Sequence, residues 1–386
     1  MNPVARQADT RGAPIVVAAT EVDRRVIEPN DFVADTAAFV DVRLPRSQGK
    51  ASYSVIGPGV TQNAEKVISL SEPHGFNIGA ATMPHGVVNN PHLHFTAEVF
   101  ICTRGNFAMT VGEYGEQKLA MSRGTIFSVP TWVFRGFENL GPDGPDGAWM
   151  FTVLGGDDTG GIIWAPWVLR AAAETGLHLS SNWAVVEANG SAPANAIEPF
   201  TPDQLDTIDT YSDEAIAARA VEFDALNWSS RALLSSVVHG HRCAIAPVIG
   251  AGLTEDRAHT SPVGGPHGFS VEWLRIEPGS STGPHRHHDS QVLLLVDGEW
   301  SIEINLGADT VERRPAVSSV VSIPEGAWRN YTNIGDTVGH AVVVCGGDHP
   351  TRLEWETSLA SAAATAGWGL DVSGYLAPLH LLGQRS

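Results

Sequence analysis

Two stretches of this chain decide its fold, and they carry the same pattern. Residues 86–105 are GVVNNPHLHFTAEVFICTRG, and residues 279–298 are GSSTGPHRHHDSQVLLLVDG. Each begins and ends with glycine and has, near its centre, two histidines separated by one residue. A polar residue follows four positions after the second of these histidines. That residue is Glu98 in the first stretch and Gln291 in the second.

The surrounding sequence repeats as well, which predicts two copies of one domain. The tetrapeptide PHGF at 73–76 returns at 266–269, and the same offset relates the two histidine pairs. Proline, arginine, glycine and alanine positions continue the match, so each copy covers about 145 residues, the size of one domain. We expect an N-terminal arm at 1–39, a first domain at 40–186, an acidic, partly helical connector at 187–229, and a second domain with a C-terminal helix at 230–386.

The spacing of the histidines indicates a metal site. Alternate residues of a β-strand share one face, so His92 and His94 point the same way, and Glu98 joins them if the strand or hairpin has no bulge. Two imidazoles and one carboxylate form the facial donor set of non-haem Fe(II) sites, which leaves positions open for substrate and dioxygen. The same donors also bind Mn, Ni, Co or Zn. His285, His287 and Gln291 predict a second, weaker site, because an amide oxygen is a neutral donor.

These residues resemble the two motifs of the cupin superfamily. The first motif is the quoted pattern, and the second follows as Gly124, Pro130 and Asn139 and again as Pro324, Gly326 and Asn333. The resemblance implies an all-β fold of two tandem jelly-roll barrels (a bicupin) with a few short helices. In length and arrangement the chain is similar to the gentisate- and salicylate-type ring-cleaving dioxygenases. This similarity implies an Fe(II) enzyme that acts on an aromatic or hydroxy-acid small molecule.

The chain departs from the cupin pattern at one position in each copy. Arg135 and Arg329 stand five residues after the motif proline, where a typical cupin has a third histidine ligand. Arginine stays protonated and cannot ligate a cation. Arg135 is therefore a candidate catalytic and substrate-binding residue that clamps a carboxylate, with Arg329 and Trp132 as further substrate-binding candidates. The alternative is an internal ion pair between Arg135 and Glu98, which would remove Glu98 from the ligand set.

Two other functions compete with dioxygen chemistry. The metal ion could act only as a Lewis acid in a lyase, decarboxylase or isomerase. The histidines could also be hydrogen-bonded remnants in a bicupin that binds a small molecule without turnover, because a fold does not fix an activity.

Composition limits the partners. The net charge of −19 leaves no basic excess for nucleic acid or an anionic membrane surface, so a small molecule, such as a carboxylate, is the expected partner. No apolar run approaches the roughly 20 residues that span a bilayer. Three widely separated cysteines form no disulfide framework. These features favour a cytoplasmic protein, which can also assemble as a homo-oligomer.

In the connector, Thr201-Pro202-Asp203-Gln204 predicts a helix start, and a second helix is expected near Ser212. The N-terminal arm is expected to be disordered or to dock on a neighbouring surface.

Overall fold

The computed structural model describes residues 12–188 and 190–383. Their contacts divide into two compact units. The first-barrel unit comprises residues 32–225, and the second-barrel unit comprises residues 12–31 together with 226–383. Residues 1–11 of the predicted arm lie outside the described residues.

Of the predicted arm, residues 32–39 belong to the first-barrel unit. The stretch of residues 12–31 packs within the second-barrel unit. It forms helix α1 (Ala19–Arg25) and strand β1 (Val26–Ile27), which pairs antiparallel with residues 320–321. The Arg25 guanidinium donates to Ser322 Oγ at 3.0 Å, and the side chain of Asn305 bonds the main chain of Val17 in both directions. Residues 12–31 are therefore docked on the strands of their own chain.

The first barrel is built from two sheets. The strands and helices of this part are β2 (Ala51–Ile56), β3 (Ile68–Leu70), β4 (Phe76–Thr82), β5 (Val88–His94), β6 (Glu98–Arg104), β7 (Phe107–Val111), β8 (Gln117–Met121), β9 (Ile126–Val129), β10 (Arg135–Asn139), α2 (Gly144–Gly147), β11 (Trp149–Gly155), β12 (Ile162–Trp164), α3 (Pro166–Glu174), β13 (Leu177–Leu179) and β14 (Val185–Glu187). One sheet has the order β12-β5-β10-β7-β8, and the other has the order β15-β9-β6-β11-β4-β2-β3, where β15 is Ala220–Val221. Phe100 and Phe127 from the larger sheet meet Phe107 and Phe137 from the smaller one in a buried cluster, which makes the pair of sheets a packed barrel.

The connector belongs to the first-barrel unit up to residue 225. Both helices expected there are present, α4 (Pro202–Leu205) and α5 (Asp213–Ala217). Thr201 forms a capping box with Gln204, and the Ser212 hydroxyl accepts from Ala215 N at 3.2 Å. Strand β15 then adds to β9, so the segment between the barrels is fixed to the first one.

The second barrel repeats this plan. Its elements are β16 (Cys243–Ile249), β17 (Phe269–Ile276), β18 (His285–Arg286), β19 (Gln291–Asp297), β20 (Trp300–Ile304), β21 (Val311–Arg313), β22 (Val320–Ile323), β23 (Arg329–Asn333), β24 (Gly339–Gly346), β25 (Glu354–Trp355), α6 (Thr357–Thr365), β26 (Trp368–Leu370), β27 (Leu376–Pro378) and α7 (Leu379–Leu382). The sheets have the orders β1-β22-β19-β24-β17-β16 and β21-β20-β23-β18-β25. The predicted fold class, two mostly β jelly-roll barrels with short helices, is confirmed. In the described residues no helix has the length and apolar character needed to cross a bilayer.

Candidate metal centre

The end of strand β5 places the two histidines of the first barrel. His92 and His94 are 2% and 0% exposed, and the intervening Leu93 packs in a different apolar cluster with Trp164 and Val168. This alternation follows from the two-residue period of a strand. It directs both imidazoles to the barrel interior, as the sequence predicts.

Glu98 completes the group because it is the first residue of the next strand, β6. One donor atom from each of His92, His94 and Glu98 lies within 4.8 Å of the others. His94 Nε2 and Glu98 Oε2 are 3.3 Å apart. No other cluster of three His, Cys, Asp or Glu side chains suited to a metal occurs in the part of the chain that the structure describes.

The group fits a bound metal ion because several of its ligand atoms have no hydrogen bond among the described residues. Both ring nitrogens of His94 and Oε2 of Glu98 are buried and accept or donate no hydrogen bond among the described residues. Buried polar atoms are normally hydrogen-bonded, and leaving one unpaired costs about 1–3 kcal/mol. An ion bound between these residues would take up Glu98 Oε2 and one ring nitrogen of His94.

His92 is held in one tautomer. Its Nδ1 lies 2.7 Å from the carbonyl oxygen of Asn90, which can only accept, so Nδ1 carries the proton and Nε2 keeps its lone pair. Burial lowers the pKa of His92 well below its ordinary value, and the neighbouring His94 and Arg135 lower it further. A neutral imidazole with a free Nε2 is the form that binds metals.

Arg135 lies behind this group. It is fully buried, and its Nη2 donates to the Pro130 carbonyl at 2.6 Å. Its Nε is 3.7 Å from Glu98 Oε2, an ion pair longer than a hydrogen bond. Burial lowers the Arg135 pKa to about 10, so the guanidinium remains charged at neutral pH. The alternative that the sequence leaves open, an ion pair between Arg135 and Glu98, is present, yet Glu98 Oε2 also lies 3.3 Å from His94 Nε2.

A cavity of about 50 Å³ adjoins the three donors. A water molecule needs ~10–15 Å³ by this measure, so the space holds only a few waters. Gly79, Ser52 and Thr152 are among the lining residues, together with His92, His94 and Glu98. Neither Arg135 nor Trp132 is one of them. The structure therefore brings the metal donors to the cavity but not Arg135 or Trp132, the predicted substrate-binding residues of the first barrel.

Trp132 instead lies at the surface. Its side chain is 38% exposed, its backbone has a φ of 59°, and its ring packs edge-on against Phe95 at 5.1 Å. Trp132 is a predicted substrate-binding residue, and this placement, two residues after Pro130, puts it at the surface and not among the residues that line the cavity.

The second barrel has a different interior. Arg329 Nη1 lies 2.9 Å from His287 Nε2 and 3.2 Å from Gln291 Oε1. An arginine nitrogen only donates, so it uses the lone pair of His287 that a metal would need. The Tyr331 hydroxyl also bonds Gln291 Oε1, while His285 Nδ1 is held by the Gly283 carbonyl at 2.8 Å. Two of the three predicted donors are thus engaged by the protein, and Arg329 is bonded internally rather than facing a substrate.

Sequence reasoning missed the residues beneath strand β5. Asp41 and Lys50 form a buried ion pair there, and Asp41 also bonds Asn90. A signal existed, because the repeat offset places Lys50 opposite Cys243 and Asn90 opposite Gly283. A charged or polar side chain that occurs in only one copy indicates a role that only this copy has.

Comparison with known proteins identifies the class of fold. No protein-family model matches the chain, and no curated protein matches it in sequence. Solved structures do match. A deletion variant of Bacillus subtilis oxalate decarboxylase aligns with a TM-score of 0.51 at 13% identity, over 90% of this chain and 81% of that one. The formate complex of Lactobacillus farciminis oxalate decarboxylase aligns with a TM-score of 0.50 at 14% identity, over 85% and 93%. The chain therefore has the bicupin fold.

The particular proteins named by these structures are decarboxylases. They are not gentisate- or salicylate-type dioxygenases, the class that the sequence leads us to expect. Identities of 13–14% establish the shared fold alone.

Proposed function

We propose that the first barrel binds a divalent first-row metal ion through His92, His94 and Glu98 and decarboxylates a small carboxylic acid. The proposal is carried by the convergence of three buried donors, two of them without a hydrogen bond among the described residues, on one small cavity. The two-barrel fold found in solved oxalate decarboxylases supports the reaction class.

The chemistry follows from the charges of the site. A bound divalent ion acts as a Lewis acid on a substrate carboxylate or carbonyl. His92 and His94 contribute no charge when neutral, and Glu98 offsets only one positive charge, so the loaded site attracts an anion. Arg135 adds a positive charge behind Glu98 and holds that carboxylate in place. The reaction is R–COO⁻ + H⁺ → R–H + CO₂, in which the electrons of the broken carbon–carbon bond remain on R and form the new bond to hydrogen.

The walls of the cavity favour a small substrate. Apart from the metal donors, the lining combines hydroxyl groups of Ser52 and Thr152 with the apolar side chains of Leu154 and Ile162. Hydroxyls can orient carboxylate oxygens, and apolar walls exclude water and so strengthen electrostatic interactions. With about 50 Å³ of space, an acid of two to four carbons fits better than an aromatic ring.

Ring cleavage by an Fe(II) dioxygenase is the second candidate. The observation that favours it is the donor set itself, since two histidines and one carboxylate are the ligands of many such enzymes. The identity of the ion stays a prediction, because imidazole and carboxylate bind Fe, Mn, Co, Ni and Zn alike. The cavity size is the reason for ranking this function second.

Product analysis separates the candidates. Protein reconstituted with Mn(II) or with Fe(II) is incubated with two- to four-carbon mono- and dicarboxylic acids and, separately, with gentisate and salicylate, while CO₂ and dissolved O₂ are followed. We expect CO₂ from a small acid without equivalent O₂ consumption. Consumption of one O₂ for each aromatic acid converted would contradict decarboxylation and support ring cleavage. No reaction in any metal-loaded sample would contradict both enzyme functions and favour a protein that only binds its ligand.

A matched pair of variants assigns the activity to one barrel. His94→Ala removes a proposed ligand of the first site, and His287→Ala makes the same change at the repeat position. We expect activity to disappear in the first variant and to persist in the second, provided that both fold.

A further inference from the structure

A buried ion pair lies beneath the metal centre of the first barrel. Asp41 belongs to a 3₁₀ turn at residues 40–43, and Lys50 immediately precedes β2. Their side chains are 0% and 6% exposed, and Lys50 Nζ bonds Asp41 Oδ1 and also Asn89 Oδ1, the latter at 2.7 Å. Burial lowers the Lys50 pKa, and the attraction of Asp41 opposes that shift. Removing two charges from water is costly, so such a pair is weak evidence for stability alone.

The pair is connected to His92 by hydrogen bonds. Asp41 Oδ2 accepts from Asn90 Nδ2 at 2.8 Å and from the Asn90 main-chain N at 3.3 Å. Asn90 Nδ2 also donates to Ser47 Oγ at 2.7 Å. Asn90 is thus fixed by its side chain and its backbone, and its carbonyl oxygen is the atom that holds His92 Nδ1.

A second contact reaches His92 from the same lysine. Lys50 Nζ lies 5.8 Å from the centre of the Trp164 ring, and that ring packs against the His92 imidazole with centroids 5.2 Å apart. His92 is therefore held at Nδ1 by the carbonyl of a residue that Asp41 fixes, and its ring packs against a tryptophan that lies within cation–π distance of Lys50.

The second barrel provides an internal comparison. The offset of 193 places Cys243 opposite Lys50, Gly240 opposite Ser47 and Gly283 opposite Asn90. The 3₁₀ turn at 234–237 is shifted by one further residue, an offset of 194, and has Ser235 at its second position, where the turn at 40–43 has Asp41. Burial raises the Cys243 pKa to about 12, so this pair is uncharged at neutral pH. The fold does not require the ion pair, and His285 rests on the carbonyl of a glycine that has no side chain to anchor it.

We infer that Asp41, Lys50 and Asn90 are positioning residues that fix the tautomer and ring orientation of His92 for metal binding. This inference rests on the proposed function to the extent that His92 is a ligand. Outer groups of this kind typically change metal affinity by ~10–100-fold when they are removed. The first barrel has this support and the second lacks it. We therefore expect the ring of His92 to be held in its metal-binding orientation more firmly than that of His285.

The test uses the full-length protein with a double variant, Asp41→Asn/Lys50→Met, which removes both charges and leaves no unpaired ion. Asn90→Gly, which copies the second barrel, is the second variant. The matched control neutralises the more exposed pair Arg257–Asp371 as Arg257→Met/Asp371→Asn. Three quantities are measured: the midpoint of thermal unfolding, the Zn²⁺ dissociation constant by chelator competition at pH 7, and the His92 tautomer in metal-free protein from ¹⁵N–¹H correlation spectra of the imidazoles.

We expect Zn²⁺ affinity to fall ~10–100-fold in the double variant and in Asn90→Gly, with wild-type affinity in the control. The unfolding midpoint should change little, and the His92 signals should move from the Nδ1-protonated form to a mixture. Affinity within twofold of wild type, together with an unchanged tautomer, would overturn the inference. Absence of Zn²⁺ binding by wild-type protein would instead contradict the proposed function, and the metal-free spectra would still test the positioning role.

Discussion

Arg329 Nη1 lies 2.9 Å from His287 Nε2, whereas the equivalent Arg135 makes no hydrogen bond to His94 among the described residues. The two arginines occupy the same place in the repeat, five residues after the motif proline. In the second barrel the guanidinium donates hydrogen bonds to His287 and Gln291, whose lone pairs a metal ion would need. In the first barrel it donates to the Pro130 carbonyl and lies 3.7 Å from Glu98 Oε2, and both ring nitrogens of His94 have no hydrogen bond among the described residues.

Arg329→Met should destabilise the second barrel. The change leaves His287 and Gln291 without the buried donor that they share, and it also frees two backbone carbonyls at 324 and 327. Each buried group left unsatisfied costs ~1–3 kcal/mol, so a loss of at least ~2 kcal/mol in unfolding free energy is expected. Urea unfolding measures it. A variant as stable as wild type would mean that this network contributes nothing.

Arg135→Lys should reduce metal content more than it changes the Michaelis constant. One ammonium group cannot reproduce the planar fork that reaches both Pro130 and Glu98. Metal analysis beside steady-state kinetics at saturating metal distinguishes the roles. A raised Michaelis constant with full metal content would favour the direct carboxylate clamp that the sequence suggests.

Gly79→Val should block the substrate without removing the metal. Gly79 lines the cavity, and an added Cβ there would come within 2.9 Å of Thr152 Oγ1 and 3.3 Å of the Tyr53 carbonyl oxygen. The repeat position in the second barrel is Glu272, a residue with a long side chain. We expect unchanged metal content and at least a tenfold loss in kcat/KM. Unaltered kinetics would place substrate binding elsewhere.

Glu272 should make stability depend on pH. Burial raises its pKa to about 8, and the Leu253 amide that donates to it only partly opposes the shift. The folded state therefore keeps the proton that the unfolded state loses near pH 4.5, so the stability that Glu272 contributes is fully present below that pH and is lost as pH rises through 8. Glu272→Gln should remove this dependence. The difference in unfolding midpoint between variant and wild type, measured at pH 5 and pH 8, should be clearly larger at pH 8, and equal differences would refute the shift.

The sequence predicts much of this molecule because its signals are local or repeated. Strand alternation places His92 and His94 on one face, the duplication predicts two barrels, and Thr201 and Ser212 mark helix starts that the structure contains. Other features depend on side-chain direction across strands. The bond from Arg329 to His287 and the position of Arg135 behind Glu98 require the pairing of β23 with β18 and of β10 with β5.

The support beneath His92 was harder to foresee, since Asp41 and Lys50 precede the histidines by more than 40 residues and meet them only through folding. Differences between the copies at Lys50, Gly79 and Asn90 were readable in the sequence. Which of these positions lie beneath His92 depends on contacts that only the folded chain makes.

The number of metal ions per chain, measured by inductively coupled plasma mass spectrometry on purified protein loaded and then desalted, decides whether the first barrel holds the metal centre. We expect one ion in wild type, one in His287→Ala and none in His94→Ala. Two ions in wild type, with one lost in each variant, would contradict the assignment of the site to the first barrel, and no ion in wild type would contradict a metal centre altogether.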